Sequence, residues 1–141
     1  MTRSATPAGR GVSVDKAALT EALRKASGEF DTVADGMVVA SADGLVLAAE
    51  TREIQADTVA AMAVIVSGIA TQLVEQAGVG ESTACLFEST SGHVAVFPLT
   101  ADMVVVVFGP DKVNAGMFNL AARGVLSRLQ EVVNATETMS V

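Results

Sequence analysis

Seventeen consecutive residues, Thr58 to Val74, carry no charge, and nothing else in this 141-residue chain restricts its fold so severely. Their apolar groups recur at steps of three and four, the spacing of a helix, which predicts one from about Ile54 or Gln55 to Ala77. Two seams run along it. Val59, Met62, Val66, Ile69 and Leu73 form a stripe of large side chains suited to a core. One residue further round, Ala56, Ala60, Ala63, Ser67, Ala70, Val74 and Ala77 form a stripe of mostly small ones, against which another backbone can come close. Ala61, Val64 and Ile65 add apolar surface on a third side. A lone domain with one buried helix face would leave these groups in water, so the pattern predicts association. Glu53 and Asp57 suit the positive N-terminal end of this helix, and Gly78 suits its stop.

The same stretch touches the lower limit for crossing a bilayer. Thr58, Ser67, Gly68, Thr71 and Gln72 interrupt it, however, and no cationic or aromatic anchors flank it, so no membrane span is expected. Half of the residues are apolar, enough for a real core in a single domain. The net charge of −7 disfavours nucleic acid and anionic membranes, because binding to phosphate needs a basic stripe. The single Cys85 cannot form an internal disulfide and suits a reducing, cytoplasmic setting. The N-terminal MTRSATPAGRG lacks the apolar run of a secretory signal. Residues 1–14 are expected as a loose tail, 15–134 as the domain and 135–141 as a frayed end.

Along the chain, Asp15 is placed to cap a helix running to Ser27, with Leu19, Ala22, Leu23 and Ala26 on one face and Gly28 as its stop. Met37–Ser41 and Leu45–Glu50 flank Ala42-Asp43-Gly44, a hairpin signal. After the central helix, Thr83–Thr90 and His93–Leu99 flank a second turn at Ser91-Gly92. Met103–Phe108 reads MVVVVF, apolar at every position, as a strand covered on both faces requires. Asp111 is then placed to cap a last helix to Val133, with Phe118, Ala122, Val125, Leu129 and Val132 facing the core.

Catalytic chemistry is hard to place. Cys85 and His93 are the one nucleophile and base pair available, but a turn at Ser91-Gly92 sets Cys85 opposite Pro98, about 16 Å from His93 along the ladder and on the other face. Gly78-Val79-Gly80-Glu81-Ser82-Thr83 lacks the lysine of a phosphate loop and precedes a strand, so it reads as a connector. Glu29, Asp31 and Asp35 match no metal-loop spacing, and Asp43 has no second carboxylate to share acid–base work. No catalytic residue, cofactor or metal is expected.

The order helix, two strands, helix, three strands, helix, the ASADGLVLAAE hairpin at 40–50 and the small-residue central helix together resemble the Roadblock/dynein light chain family, and within it the bacterial MglB-like members. The resemblance spans about residues 15–133 and rests on apolar and turn patterns. It implies an α+β, three-layer α/β/α, profilin-like fold. Its five-stranded antiparallel sheet would have order 2-1-5-4-3, with the central helix on one face and the terminal helices on the other. It also implies a homodimer, made by pairing third strands edge to edge and central helices side by side. Ala56, Ala60, Ala63, Val64, Ser67, Ala70, Thr83, Cys85 and Phe87 would lie in that interface. The function implied is a scaffold for a small Ras-like GTPase, with Ala61, Ile65, Gly68 and Gln72 on the outer helix face as its contact. Arg52, Arg123 and Arg128 match no arginine-finger motif and read as surface groups. The alternative reading is a small-ligand sensor with a pocket between sheet and helices.

Overall fold

The MVVVVF run lies in the middle of the sheet, where its composition requires it. The computed structural model describes residues 15–52 and 54–139, with side chains as far as Ala135. Its elements are α1 (Lys16–Glu29), β1 (Gly36–Ser41), β2 (Val46–Glu50), α2 (Ala56–Ala77), β3 (Cys85–Ser89), β4 (Gly92–Thr100), β5 (Met103–Pro110) and α3 (Ala115–Met139). The sheet order is β2-β1-β5-β4-β3, and every pair is antiparallel. β5 pairs with β1 on one side, Val105 against Val39, and with β4 on the other, Val106 against Val96. Its alternate residues therefore serve two cores. Met103, Val105 and Val107 join Phe97, Met37, Val39 and the inner residues of α1 and α3. Val104 and Val106 join Val38, Ala40, Val96, Ala60 and Ala63 under α2. The expected layers and strand order are those observed.

Local chemistry sets the boundaries, and several differ from the sequence reading. Asp15 caps α1 as expected, its Oδ1 accepting from Ala18 N–H at 3.0 Å. Gly28 does not end that helix. α1 continues to Glu29, and Phe30 N–H donates to Ala26 O to close it. α3 begins later than expected and is capped by Asn114, whose Oδ1 accepts from Met117 N–H at 2.8 Å. Asp111 cannot play that part, because β5 extends to Pro110 and a turn must intervene. Beyond Val133 the helix runs on to Met139, since Asn134 to Met139 contains neither Gly nor Pro to stop it. Within the expected frayed end, residues 135–139 are thus helical. The expected tail at 1–14 lies outside the described residues.

The second hairpin is also shifted. Ser89 pairs with Gly92 and Glu88 with His93, so the turn residues are Thr90-Ser91 and Cys85 faces Val96 rather than Pro98. The first hairpin turns at Ala42 to Leu45, with Gly44 at φ +82°, a conformation that glycine adopts without strain. α2 ends at Gly78, φ +70°, whose N–H donates to Glu75 O while Val79 N–H donates to Val74 O.

Candidate functional site: the open face of the central helix

α2 lies on its sheet by its small side. Ala60 and Ala63 are 0% and 3% exposed, sealed against Val38, Val96, Val104 and Val106. Met62, Ile65, Ile69 and Leu73 are 59%, 61%, 61% and 66% exposed. This reverses the facing expected from the two seams, in which the large stripe met the core and the small one a partner. The cause is volume. The sheet beneath α2 already presents branched valines, and a helix can close on them to native density only with alanines between. Ala60 and Ala63, expected in a dimer interface, are therefore core residues of this chain. Of the other residues expected there, Ala56, Val64, Ser67, Ala70 and Cys85 are half-buried, and Thr83 and Phe87 are exposed. Ala61, Ile65, Gly68 and Gln72 all lie exposed on the helix.

The helix does not span the sheet. One helix covers one face of five strands, so the β3 and β4 side is left with a groove of about 300 Å³. Val59, Met62 and Val66 of α2 form one wall, and Phe87, Val94, Val96, Val106 and Phe108 form the floor and the other wall. Every lining residue is apolar. β3 ends the sheet on this side, so one row of its backbone groups has no strand partner. Seen from the groove, Val59, Met62, Val66, Ile69 and Leu73 make a continuous apolar rim without a charge.

α2 is also the one helix among the described residues long and apolar enough to cross a membrane. Its inner side is nonetheless packed on the sheet. Withdrawing it would bare Val38, Ala40, Val96, Val104 and Val106, which are buried beneath it.

The residues weighed for catalysis are dispersed. Cys85 lies on the α2 side of the sheet, whereas His93 lies on the other side, stacked on Phe118 at 5.2 Å with its Nε2 2.8 Å from Val113 O. Burial pushes the Cys85 thiol up, with a hydrogen bond to Ser82 acting against it, so no thiolate is prepared. Arg123 lies over the Phe97 ring at 5.4 Å, and Arg128 pairs with Glu29 at 2.7 Å. Both are held on the α1 and α3 side, away from the open face. Among the described residues no cluster of three or more His, Cys, Asp or Glu is placed to hold a metal ion.

This arrangement of sheet, helices and uncovered central helix can be set beside known proteins. The Roadblock/LC7 domain profile matches residues 31–108, more than half of the chain. The chain belongs to the Roadblock/LC7 domain family. Its structure is similar to Myxococcus xanthus MglB, with a TM-score of 0.76 at 11% identity over 89% of this chain and 94% of that one. It is also similar to a Roadblock/LC7 domain from Streptomyces avermitilis, with a TM-score of 0.60 at 18% identity over 80% and 92%. Acanthamoeba castellanii profilin II follows at 0.53 and 11% identity over 74% and 90%. At such identities the likeness is one of fold. No curated protein matches the chain by sequence. The Roadblock/LC7 match covers β1 to most of β5 with α2 between them, so the family signal includes the open helix and the groove.

The sequence missed the groove itself. Phe87, Val94 and Phe108 were legible as strand residues, but only the lateral position of α2 on the sheet leaves them uncovered. The signal that could have revealed it was arithmetic: one helix is too narrow for the face of five strands spaced about 4.8 Å apart.

Proposed function

We propose that this Roadblock/LC7 chain is a non-catalytic, cytoplasmic homodimeric scaffold that binds a small Ras-like GTPase and modulates its nucleotide cycle. The observation that carries the reading is the exposure of Met62, Ile65, Ile69 and Leu73 in one continuous surface. Four large apolar side chains in water along one helix are a liability in a free monomer and a contact in an assembly. The groove with Phe87 and the open edge of β3 continue that surface, so a second copy could add a strand and a helix at once. MglB structures, among them one with a tetrameric arrangement, share the fold, which supports an assembled state. Dispersal of Cys85, His93 and the arginines supports a role without chemistry of its own.

The test is a set of purified Ras-like GTPases from the same organism, each loaded with GDP or a non-hydrolysable GTP analogue, titrated with the chain. One member binds, and its rate of hydrolysis or nucleotide release changes, while the chain alone turns over no GTP. GTP turnover by the chain alone, or the absence of any binding member, would contradict the proposal.

The groove favours a second reading, a small-ligand sensor. About 300 Å³ is at the small end for a ligand site, and its lining offers no polar group to orient a ligand. A rise in melting temperature with a small apolar metabolite, without any GTPase binding, would favour the sensor.

A further inference from the structure

The inner side of α2 changes character along its length. Ala60 and Ala63 seal it to the valines of the sheet, but one and two turns further on the same side carries Ser67 and Thr71. There the helix meets the end of the sheet rather than its middle, and a cleft of about 250 Å³ opens between it and the β4–β5 turn. Val64, Met103 and Val104 give this cleft its apolar lining. Ser67, Thr71, Thr100 and Asp102 give its polar lining, and the polar atoms of those side chains are all oxygens.

Hydrogen bonds within the chain hold these elements in place. Asp102 O accepts from Ala42 N–H at 2.8 Å, which ties the β4–β5 turn to the β1–β2 turn, and Asp102 N–H donates to Thr100 Oγ1 at 3.1 Å. Thr71 Oγ1 donates to Ser67 O at 3.0 Å, so that hydroxyl keeps its lone pairs for a donor from outside. The Asp102 carboxylate pairs with no cation among the described residues. Arg52 is the sole Lys or Arg in the sequence between Lys25 and Lys112, and it follows β2 at the end away from the β1–β2 turn.

This lining repels an anion and leaves its charge unused by a neutral ligand. One carboxylate is too few for a hard metal ion, which gathers several charged or carbonyl oxygens. A primary ammonium group on a short aliphatic stem uses both parts of the cleft, because its three N–H donors need acceptors only and its carbons can lie on the apolar lining. We propose that the cleft binds a small organic ammonium ion, with its charge beside Asp102, its N–H groups shared with the Ser67 and Thr71 hydroxyls, and its stem on Val64 and Val104. The site lies on a different flank of α2 from the apolar groove, and the assignment does not depend on the GTPase reading.

The test is a titration of the full chain with n-butylammonium chloride at constant ionic strength, followed through the backbone amide NMR spectrum. Saturable shifts confined to the neighbourhood of Ser67, Thr71 and Asp102 are expected at tens of millimolar. The ammonium ion alone should bind about tenfold more weakly for want of a stem, and n-butanol should give no saturable shift. Asp102→Asn should weaken binding about fivefold, a modest factor because that carboxylate is exposed. Ser67→Ala with Thr71→Val keeps the charge and should weaken binding about threefold. A melting temperature within a few degrees of wild type checks that each variant folds. Four results would each overturn the assignment: shifts that never saturate or that spread over many carboxylates, n-butanol binding as well as n-butylammonium, the bare ammonium ion doing so, or an Asp102→Asn variant that binds like wild type.

Discussion

The two faces of the sheet use the same residue types to opposite ends. On the α1 and α3 side, two helices cover the strands, and Leu19, Leu23, Phe97, Val105, Val125 and Leu129 are fully buried. On the α2 side one helix covers part of the face, with Ala60 and Ala63 inward and its isoleucines and leucine outward. The first face is finished within one chain and the second is not. The comparison teaches that apolar content alone does not locate a core. Where a helix meets branched valines, small residues seal and large ones are left to bind.

That contrast can be broken by substitution. The largest effect is expected inside the seal. Ala60→Asp places a carboxylate with no partner between α2 and Val38, Val104 and Val106, and should cost about 4 kcal/mol or more, read as urea-induced unfolding. Phe97→Ala on the finished face follows, at about 3–5 kcal/mol, because a fully buried ring and its packing are lost. Arg128→Ala breaks the exposed pair with Glu29 that joins α3 to α1, and should lower the urea midpoint only slightly, and less still with added salt. The smallest effect on the monomer's own stability belongs to the open face. Ile69→Ser should alter the unfolding free energy of dilute monomer by less than about 0.5 kcal/mol, because that side chain is already in water. A loss of several kcal/mol there would mean that this face is closed within the chain.

Much of this was legible in the sequence. The strand order and the three layers followed from element order and family resemblance, and MVVVVF marked the doubly covered strand through its unbroken apolarity. Helix ends with a strong chemical signal, Asp15 and Gly78, were read correctly. Weaker signals failed where tertiary structure competed. Gly28 costs a helix interior about 1 kcal/mol, but it lies one residue from the end of α1, where the bond from Phe30 N–H to Ala26 O closes the helix beyond it. Thr90-Ser91 displaced Ser91-Gly92 as the turn because β4 pairs with β5 from Gly92 to Pro110 and that pairing sets the register. The facing of α2 was misread because periodicity reports that two stripes exist, not which one the sheet's own side chains will admit. Asn114, the cap that was missed, lies four residues past Pro110, a spacing that depends on where β5 ends.

Sedimentation equilibrium on the wild-type chain and on a variant carrying Met62→Asp with Leu73→Asp tests the central claim most directly. The account predicts twice the 14.3 kDa chain mass for wild type and a folded species of the single-chain mass for the variant, with unchanged far-ultraviolet circular dichroism. A wild type that sediments as a single chain at every concentration, or a variant that keeps the double mass, would contradict it.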